Sequence, residues 1–144
     1  HLPLIYALLF GMPGTPTLYY GSEWGILGEK GPCSDDSLRP ALEKPEWNNL
    51  TDWIARLAAA RRGSSALQEG SYRNVLLTNL QLIFERKTET ERVLVAVNAD
   101  SQPYTAHFDA GCGLAWDLIS GQKHDFGGGS QLPPYSAFFW KMER

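Results

Sequence analysis

The sequence predicts an α+β chain in two parts, a helix–strand–loop–helix stretch over residues 1–63 and an antiparallel β-sandwich over residues 64–144. Two observations carry this prediction. Apolar residues recur at helical spacing up to Gly63, whereas short β-prone runs with a period of two follow Gly70. In addition, the first part holds one short strand with no neighbouring strand to pair with. A strand in that situation is typical of the tail of an alternating α/β unit.

The first part begins with an apolar helix over residues 2–10. Pro3 is tolerated in the first turn of this helix, and Gly11 can end it. Residues 16–20 then form a short, buried, aromatic strand. A loop rich in Gly and Pro follows over residues 24–46, and a loop of this length in a compact domain is usually functional or disordered.

A second helix begins after this loop. Asn48 or Asn49 caps its start, and the basic pair Arg61-Arg62 followed by Gly63 closes it. Its apolar stripe consists of Leu50, Trp53, Ile54, Leu57 and Ala58. A stripe of this width predicts a helix that packs one face on the rest of the fold.

The second part is a series of short β-prone runs separated by turn residues. These runs cover residues 72–78, 81–86, 92–98, 104–108, 115–119 and 136–141. Their spacing is typical of a sandwich, and we expect six to eight strands. The second and third runs form a hairpin across residues 88–91. Because Val93, Val95 and Val97 alternate with other apolar residues, the third run is apolar on both faces and predicts a central strand.

Composition excludes several classes of partner. The net charge is -3 and the pI is near 5.6, and Arg61-Arg62 is the longest basic cluster, so we expect neither a nucleic-acid nor an anionic membrane surface. Residues 1–10 are too few to span a bilayer. Because the chain begins inside this apolar helix, we expect a piece of a longer protein. Cys33 and Cys112 permit one disulfide and leave the redox compartment open, with a cytoplasmic location slightly favoured.

A motif early in the chain carries a family resemblance. Residues 14–23 match the pattern G-x-P-x-x-Y-Y-G-x-E through Gly14, Pro16, Tyr19, Tyr20, Gly21 and Glu23. This pattern resembles the motif near the last strand of the (β/α)8 barrel in the α-amylase family of glycoside hydrolases, particularly its cyclomaltodextrinase and neopullulanase-like members. Asp35 and Arg39 resemble the D-x-x-x-R loop of that family. Residues 95–98 and 117–121 are similar to its C-terminal sandwich.

The resemblance implies that residues 1–63 are the C-terminal piece of a catalytic barrel and residues 64–144 the C-terminal β-sandwich domain. Retaining glycosidases use two carboxyl groups about 5 to 5.5 Å apart. In the family, these groups lie on earlier barrel strands, so we assign no catalytic residue here and expect the chain alone to be inactive. No cofactor is expected. No metal is expected either, because His107 and His124 lack ligand spacing.

The loop over residues 24–46 supplies the candidates for substrate contact, because loops at this end of barrel strands form the active-site face. The resemblance implies that Asp35 and Arg39 hydrogen-bond the hydroxyls of an α-glucan or maltooligosaccharide. The alternative is a salt bridge between them that closes the loop. Trp24 could stack on a sugar ring, or it could pack against the protein.

The remaining motif residues are interpreted as structural. Glu23 could be a catalytic carboxylate, but its place in the motif favours an acid that ties the strand end to neighbouring backbone. Tyr19 and Tyr20 could stack on sugars, but a buried strand favours core packing and hydrogen bonding. His124 and Asp125 are expected in a polar turn, and they form no triad with Ser130, which lacks a nucleophile elbow.

The aromatic residues of the second part are open to two interpretations. They could line a sugar platform on the sandwich, or alternation along the strands could divide them between core and surface, which we favour. The residues concerned are Trp116, Tyr135, Phe138, Phe139 and Trp140.

Two rival functions remain. The chain could be a non-catalytic carbohydrate-binding or structural β-sandwich module, but such a module has no reason to contain the barrel-end motif. The parent could also be a relative that keeps the barrel without its carboxylates. If the chain derives from a barrel, the rest of that barrel would bury the helix over residues 2–10 and the strand over residues 16–20. In the chain alone these apolar elements are exposed, so we expect it to self-associate.

Overall fold

The computed structural model describes residues 1–111 and 113–143. The disulfide considered for Cys112 lies outside the described residues, and Cys33 is exposed. The helices are α1 (Leu2–Gly11), α2 (Asn49–Arg62) and α3 (Ser65–Glu69), with 3₁₀ turns at Ser22–Trp24 and Asp36–Leu38. The strands are β1 (Ser71–Leu77), β2 (Gln81–Lys87), β3 (Arg92–Asn98), β4 (Tyr104–Ala106), β5 (Leu114–Asp117), β6 (Lys123–Asp125), β7 (Ser130–Leu132) and β8 (Ser136–Met142). None of the described helices is long and apolar enough to cross a membrane.

The two long helices form as their sequences predict. The Asn48 side chain accepts hydrogen bonds from the N–H groups of Leu50 at 3.0 Å and Thr51 at 3.1 Å, and the Thr51 hydroxyl accepts one from the Asn48 N–H. This reciprocal capping box satisfies N–H groups that have no partner within the first turn of α2. Gly63 follows the helix as its C-cap residue, so the prediction for α2 is confirmed.

The expectation of a buried strand over residues 16–20 is wrong for this chain. Residues 15–19 belong to no helix or strand, and Tyr19 and Tyr20 are 55% and 48% exposed. A strand needs the backbone of a neighbour for its hydrogen bonds, and no described segment lies beside these residues as a pairing partner. The two tyrosine rings contact each other instead, with 4.8 Å between their centroids.

Six strands form one antiparallel sheet in the order β1-β2-β3-β8-β5-β6, and β4 pairs with β7 in a separate ribbon. The predicted hairpin is confirmed, because β2 and β3 pair in continuous register from Lys87↔Arg92 to Gln81↔Asn98. The position of β3 between β2 and β8 confirms the inference from its two apolar faces. The described part of the chain therefore contains the expected number of strands.

Each face of the six-stranded sheet is covered by a different layer. The α1 and α2 helices cover one face, where Phe10 and Leu57 join Val95 and Phe139 in a single cluster. The β4–β7 ribbon covers the other face, where Leu94 and Trp140 are buried among other apolar residues. Helices from the first 63 residues thus share one core with strands from the rest of the chain, and this core holds the N-terminal part in place.

The strands divide the aromatic residues between core and surface, as alternation predicts. Phe139 and Trp140 are 0% and 1% exposed, whereas Trp116 and Tyr135 are 42% and 49% exposed. His124 belongs to β6, so the expectation of a polar turn at His124 and Asp125 is wrong. The reason is tertiary: β6 pairs with β5, and the His124 ring stacks on the Trp140 ring at 4.2 Å.

Candidate functional site

Two buried arginines hold the segment that leads from α1 into the motif. The Arg61 guanidinium of α2 donates to the carbonyl oxygens of Phe10 at 2.8 Å, Met12 at 3.1 Å and Gly14 at 2.5 Å. Arg86 of β2 donates to the Gly11 carbonyl oxygen at 2.8 Å. Both cations therefore lie where the dipole of α1 is negative, and they satisfy carbonyls that the helix leaves unpaired. Burial lowers the pKa of both arginines.

The far end of the motif is tied to both helices. The Tyr6 hydroxyl of α1 donates to the Ser22 carbonyl oxygen at 3.0 Å. The Thr51 hydroxyl donates to the Glu23 carbonyl oxygen, and the Asn48 amide to the Trp24 carbonyl oxygen, both at 3.0 Å. The backbone between these ties turns at a residue with positive φ, Gly21 at +84°. The motif is therefore fixed at its two ends, while the tyrosine pair between them is exposed.

Among the described residues, the Glu23 carboxylate has no hydrogen-bond partner for its buried oxygen, Oε2, so only the backbone of Glu23 joins the neighbouring helix. Tyr20, Trp47 and Thr51 line a cavity of about 420 Å³ beside it, together with Leu18, Ile54 and Ala55. A buried carboxylate oxygen costs free energy unless a donor satisfies it, so this cavity suits an incoming hydrogen-bond donor.

Asp35 and Arg39 bracket the second 3₁₀ turn, and both are exposed. Asp35 forms an ion pair with Lys30 at 3.8 Å, and the ion pairs among the described residues do not include one between Asp35 and Arg39. An exposed pair of this kind contributes little stability. Desolvation raises the pKa of the Tyr20 hydroxyl, Tyr19 adds to this rise, and the positive charge of Arg39 opposes it.

The charge of Arg39 therefore acts on the tyrosine pair. The pair also borders a cavity of about 220 Å³ against residues 26–28, 37, 38 and 40, and Arg39 is not part of that lining. Trp24 is partly buried and lines neither this cavity nor the one beside Glu23. The structure thus brings Arg39 and the motif together, and Trp24 lies apart from that grouping. The contacts of Asp35, Arg39 and Trp24 with substrate stay a prediction.

The carbonyl contacts of Arg61 are not among the sequence-based predictions, although the sequence holds a signal for them. Ile54, Leu57 and Arg61 occupy positions i, i+3 and i+7 of α2, so the arginine lies on the apolar stripe. It is 7% exposed, whereas the next residue, Arg62, is exposed. A charged residue on the buried face of a helix requires partners, which here are carbonyl groups.

His124 and Ser130 are brought together by the sheet and ribbon. The His124 Nε2 atom lies 2.9 Å from the Ser130 hydroxyl oxygen, while the Asp125 carboxylate accepts a hydrogen bond from the Gly127 N–H. Burial lowers the pKa of His124, and the nearby charges of Asp125 and Asp117 oppose this effect. Ser130 is 1% exposed, so no substrate carbonyl can reach its hydroxyl. The arrangement is a packed polar contact rather than a nucleophilic site.

Similarity to known proteins agrees with the motif. No family model matches the sequence. A cyclomaltodextrin glucanotransferase of Bacillus sp. (strain 1-1) is 31% identical over 99 residues, which is 69% of this chain and 14% of that protein. The α-amylase MalA of Haloarcula japonica is 27% identical over 121 residues, 79% of this chain and 17% of that protein. The chain therefore spans less than a fifth of the length of these relatives.

Solved structures give the same result over nearly the whole chain. Ttha1563 of Thermus thermophilus is 33% identical with a TM-score of 0.80, over 97% of this chain and 30% of that one. CldA, a cyclomaltodextrin glucanotransferase, is 25% identical with a TM-score of 0.83, over 99% of this chain and 32% of that one. An α-amylase of Geobacillus thermoleovorans solved with acarbose is 19% identical, with a TM-score of 0.87 over 99% of this chain and 33% of that one, and it shows the fold alone.

The antiparallel sheet with its packed helices matches the architecture of the C-terminal domain of α-amylases. The chain belongs to the α-amylase family of glycoside hydrolases and is a C-terminal part of such a protein. The family resemblance carried by the motif over residues 14–23 is therefore confirmed.

Proposed function

We propose that the chain is the C-terminal part of a retaining α-glucan glycosidase, in which it contributes fold stability and substrate-loop contacts but no catalytic carboxylate. The names of its relatives, a cyclomaltodextrin glucanotransferase and an α-amylase, support an α-glucan as the substrate of the whole protein.

We propose further that residues 1–63 form the last portion of a (β/α)8 barrel and residues 64–144 the sandwich domain behind it. One observation carries this proposal: the motif segment is held rigidly at both ends, yet it has no strand beside it and exposes Tyr19 and Tyr20. The unsatisfied Oε2 atom of Glu23 supports it, because a neighbouring barrel strand could bring the missing donor.

In this proposal the loop over residues 24–46 contacts the sugar. Arg39 and Asp35 make these contacts, since both are exposed and the Asp35 carboxylate forms a weak surface pair with Lys30. A sugar hydroxyl can replace such a pair at small cost, and hydrogen bonds to charged groups are stronger than those between neutral groups. Trp24 would add a stacking surface from the first turn of the same loop.

Two measurements on the purified 144-residue chain test the proposal. Incubation with maltooligosaccharides or cyclodextrins should release no reducing sugar, and clear release would overturn the absence of catalytic groups. Calorimetric titration with maltoheptaose should give weak binding that Arg39→Ala reduces several-fold. Arg62→Ala removes an exposed arginine outside the loop and serves as the matched control. If both variants bind maltoheptaose equally well, Arg39 does not contact the substrate.

A further inference from the structure

A third cavity, of about 600 Å³, lies beside the β2–β3 hairpin and is also lined by residues of β5 and β8. Its volume lies within the range of small-ligand sites. The lining includes one indole, Trp116 of β5, whose position in the sheet is opposite Lys141 of β8. Ala115 and Asp117 on either side of Trp116 are buried, whereas Trp116 is 42% exposed. The sheet therefore presents this ring to the cavity.

One face of the ring is already occupied. The Lys123 ammonium group lies 4.7 Å from the centroid of the Trp116 ring, and Lys123 also pairs with Glu143 at 3.6 Å. Lys123 does not line the cavity, so the cavity borders a different part of the indole. A cation over one face restricts the rotation of the ring and prepares the remaining surface for stacking.

The cavity is lined by equal numbers of basic and acidic residues, and some of these are already paired with each other. Three basic and three acidic side chains border the cavity: Lys87, Arg92, Lys141, Glu89, Glu91 and Glu143. Glu91 and Lys141 form an ion pair at 2.6 Å, and the second oxygen of Glu91 accepts bonds from the Ser64 and Ser65 hydroxyls and the Ala66 N–H. Balanced charge does not favour an ionic ligand, whereas paired donors and acceptors beside an indole suit a neutral ligand with many hydroxyls.

This cavity and the loop over residues 24–46 lie at opposite ends of α2. Asn48, at the start of α2, contacts Trp24, and Ser64, just past its end, contacts Glu91. A helix of 14 residues separates these contacts by about 20 Å at 1.5 Å per residue. One sugar ring cannot reach both places, so ligands at the two places are independent or belong to one long chain.

We propose that the Trp116 cavity is a second carbohydrate-binding site, which takes pyranose units of an α-1,4-glucan by stacking on the indole and hydrogen bonding to its charged rim. The pyranose class comes from the cavity itself. The α-linkage rests on the proposed function.

Heteronuclear NMR of the full 144-residue chain tests the site, because each of the five tryptophan indole N–H groups gives its own signal. Trp→Phe variants assign the signals, and maltoheptaose is then titrated, with cellohexaose as the β-linked control. The Trp116 signal should shift with maltoheptaose and not with cellohexaose. Trp116→Ala should weaken binding at this site about tenfold, as expected for loss of a stacked aromatic contact. Leu77→Ala, which removes an exposed apolar side chain at the far end of β1, should leave the affinity unchanged.

The outcomes separate this proposal from the proposed function. A shift of the Trp24 signal without one of Trp116 overturns the second site and supports the loop contacts. A shift of Trp116 alone supports the second site and counts against Trp24 as a sugar contact. Equal shifts of Trp116 with both sugars overturn its assignment to α-glucans. The absence of any Trp116 shift overturns the second site, and this readout uses the unaltered chain, so it holds even where Trp116→Ala fails to fold.

Discussion

The guanidinium of Arg61 in α2 donates a hydrogen bond of 2.8 Å to the carbonyl oxygen of Phe10 in α1, across 51 positions of sequence. The same group reaches the carbonyl oxygens of Met12 and Gly14. One side chain thus ends the first helix and sets the entry into the motif over residues 14–23.

Arg61→Met should destabilise the chain by roughly 3 kcal/mol, because it leaves buried carbonyls without their charged donor. The methionine keeps most of the apolar stem, so packing changes little. Denaturation by urea measures the change in the free energy of unfolding. Arg62→Met is the matched control, since Arg62 is exposed and should change stability by less than about 0.5 kcal/mol. Equal midpoints for the two variants would contradict the role of Arg61.

Glu91 should make stability depend on pH in the acid range. Burial alone would raise the pKa of this carboxyl group, but hydrogen bonds from Lys141, the Ala66 N–H and the hydroxyls of Ser65 and Ser64 outweigh burial and lower it to about 2. Since the ordinary value is 4.5, the folded state binds this proton less tightly than the unfolded state. The resulting stabilisation, roughly 3 kcal/mol, is fully present above pH 4.5 and is lost as the pH falls toward 2.

Glu91→Gln should therefore lower the free energy of unfolding at pH 7 by roughly 2 kcal/mol, and the difference from the parent chain should shrink as the pH approaches 2. Urea denaturation at a series of pH values measures the loss of stability at pH 7 and its decrease at lower pH. Glu89→Gln changes an exposed carboxylate in the same hairpin and is expected to have little effect. A constant difference for Glu91→Gln across the pH range would show that its ion pair and hydrogen bonds do not lower the pKa.

Gly70 separates α3 from β1 and cannot accept a side chain. A Cβ atom there would lie 2.4 Å from the Ala66 carbonyl oxygen and 2.8 Å from the Lys87 nitrogen, and both are backbone atoms that cannot swing away. Gly70→Ala should destabilise the chain by roughly 3 kcal/mol. Gly113→Ala is the control, because no described residue other than its chain neighbours has an atom within 4 Å of its Cβ position. Thermal denaturation compares them, and similar Tm values would disprove the close approach.

The outer side of α1 should mediate self-association. Leu2 and Ile5 are 47% and 57% exposed although the helix is almost entirely apolar. Ile5→Glu places a charge on this surface and should shift the chain from oligomer to monomer, as measured by light scattering after size exclusion. Leu27→Glu changes a loop residue that is 94% exposed and should leave the oligomer intact. If the unaltered chain is a monomer at high concentration, this prediction is wrong.

Local patterns predict those elements whose stabilising contacts are close in sequence. The Asn48 cap and Thr51 lie three residues apart, and the β2–β3 hairpin closes across four residues, so both are predicted correctly. The three-residue strands β6 and β7 are missed. In the case of β7 the reason is that its partner, β4, lies 24 to 28 positions away in the sequence. For the candidate site, the motif over residues 14–23 is enough to identify the family. No pattern in the sequence indicates that Arg39 lies near Tyr19 and Tyr20.

The sequence by itself determined the family, the capped helix α2 and the apolar central strand β3, since each depends on residue types within a few positions. Only the tertiary structure decided that Tyr19 and Tyr20 are exposed, that Arg61 and Arg86 end α1, and that Trp116 faces a cavity. The hydrogen bonds of the two arginines to Phe10 and Gly11 span 51 and 75 positions. Contacts at that separation form only when helices and sheet pack together. A periodic pattern can place an arginine on a buried face, but it does not identify the carbonyl groups that the arginine contacts.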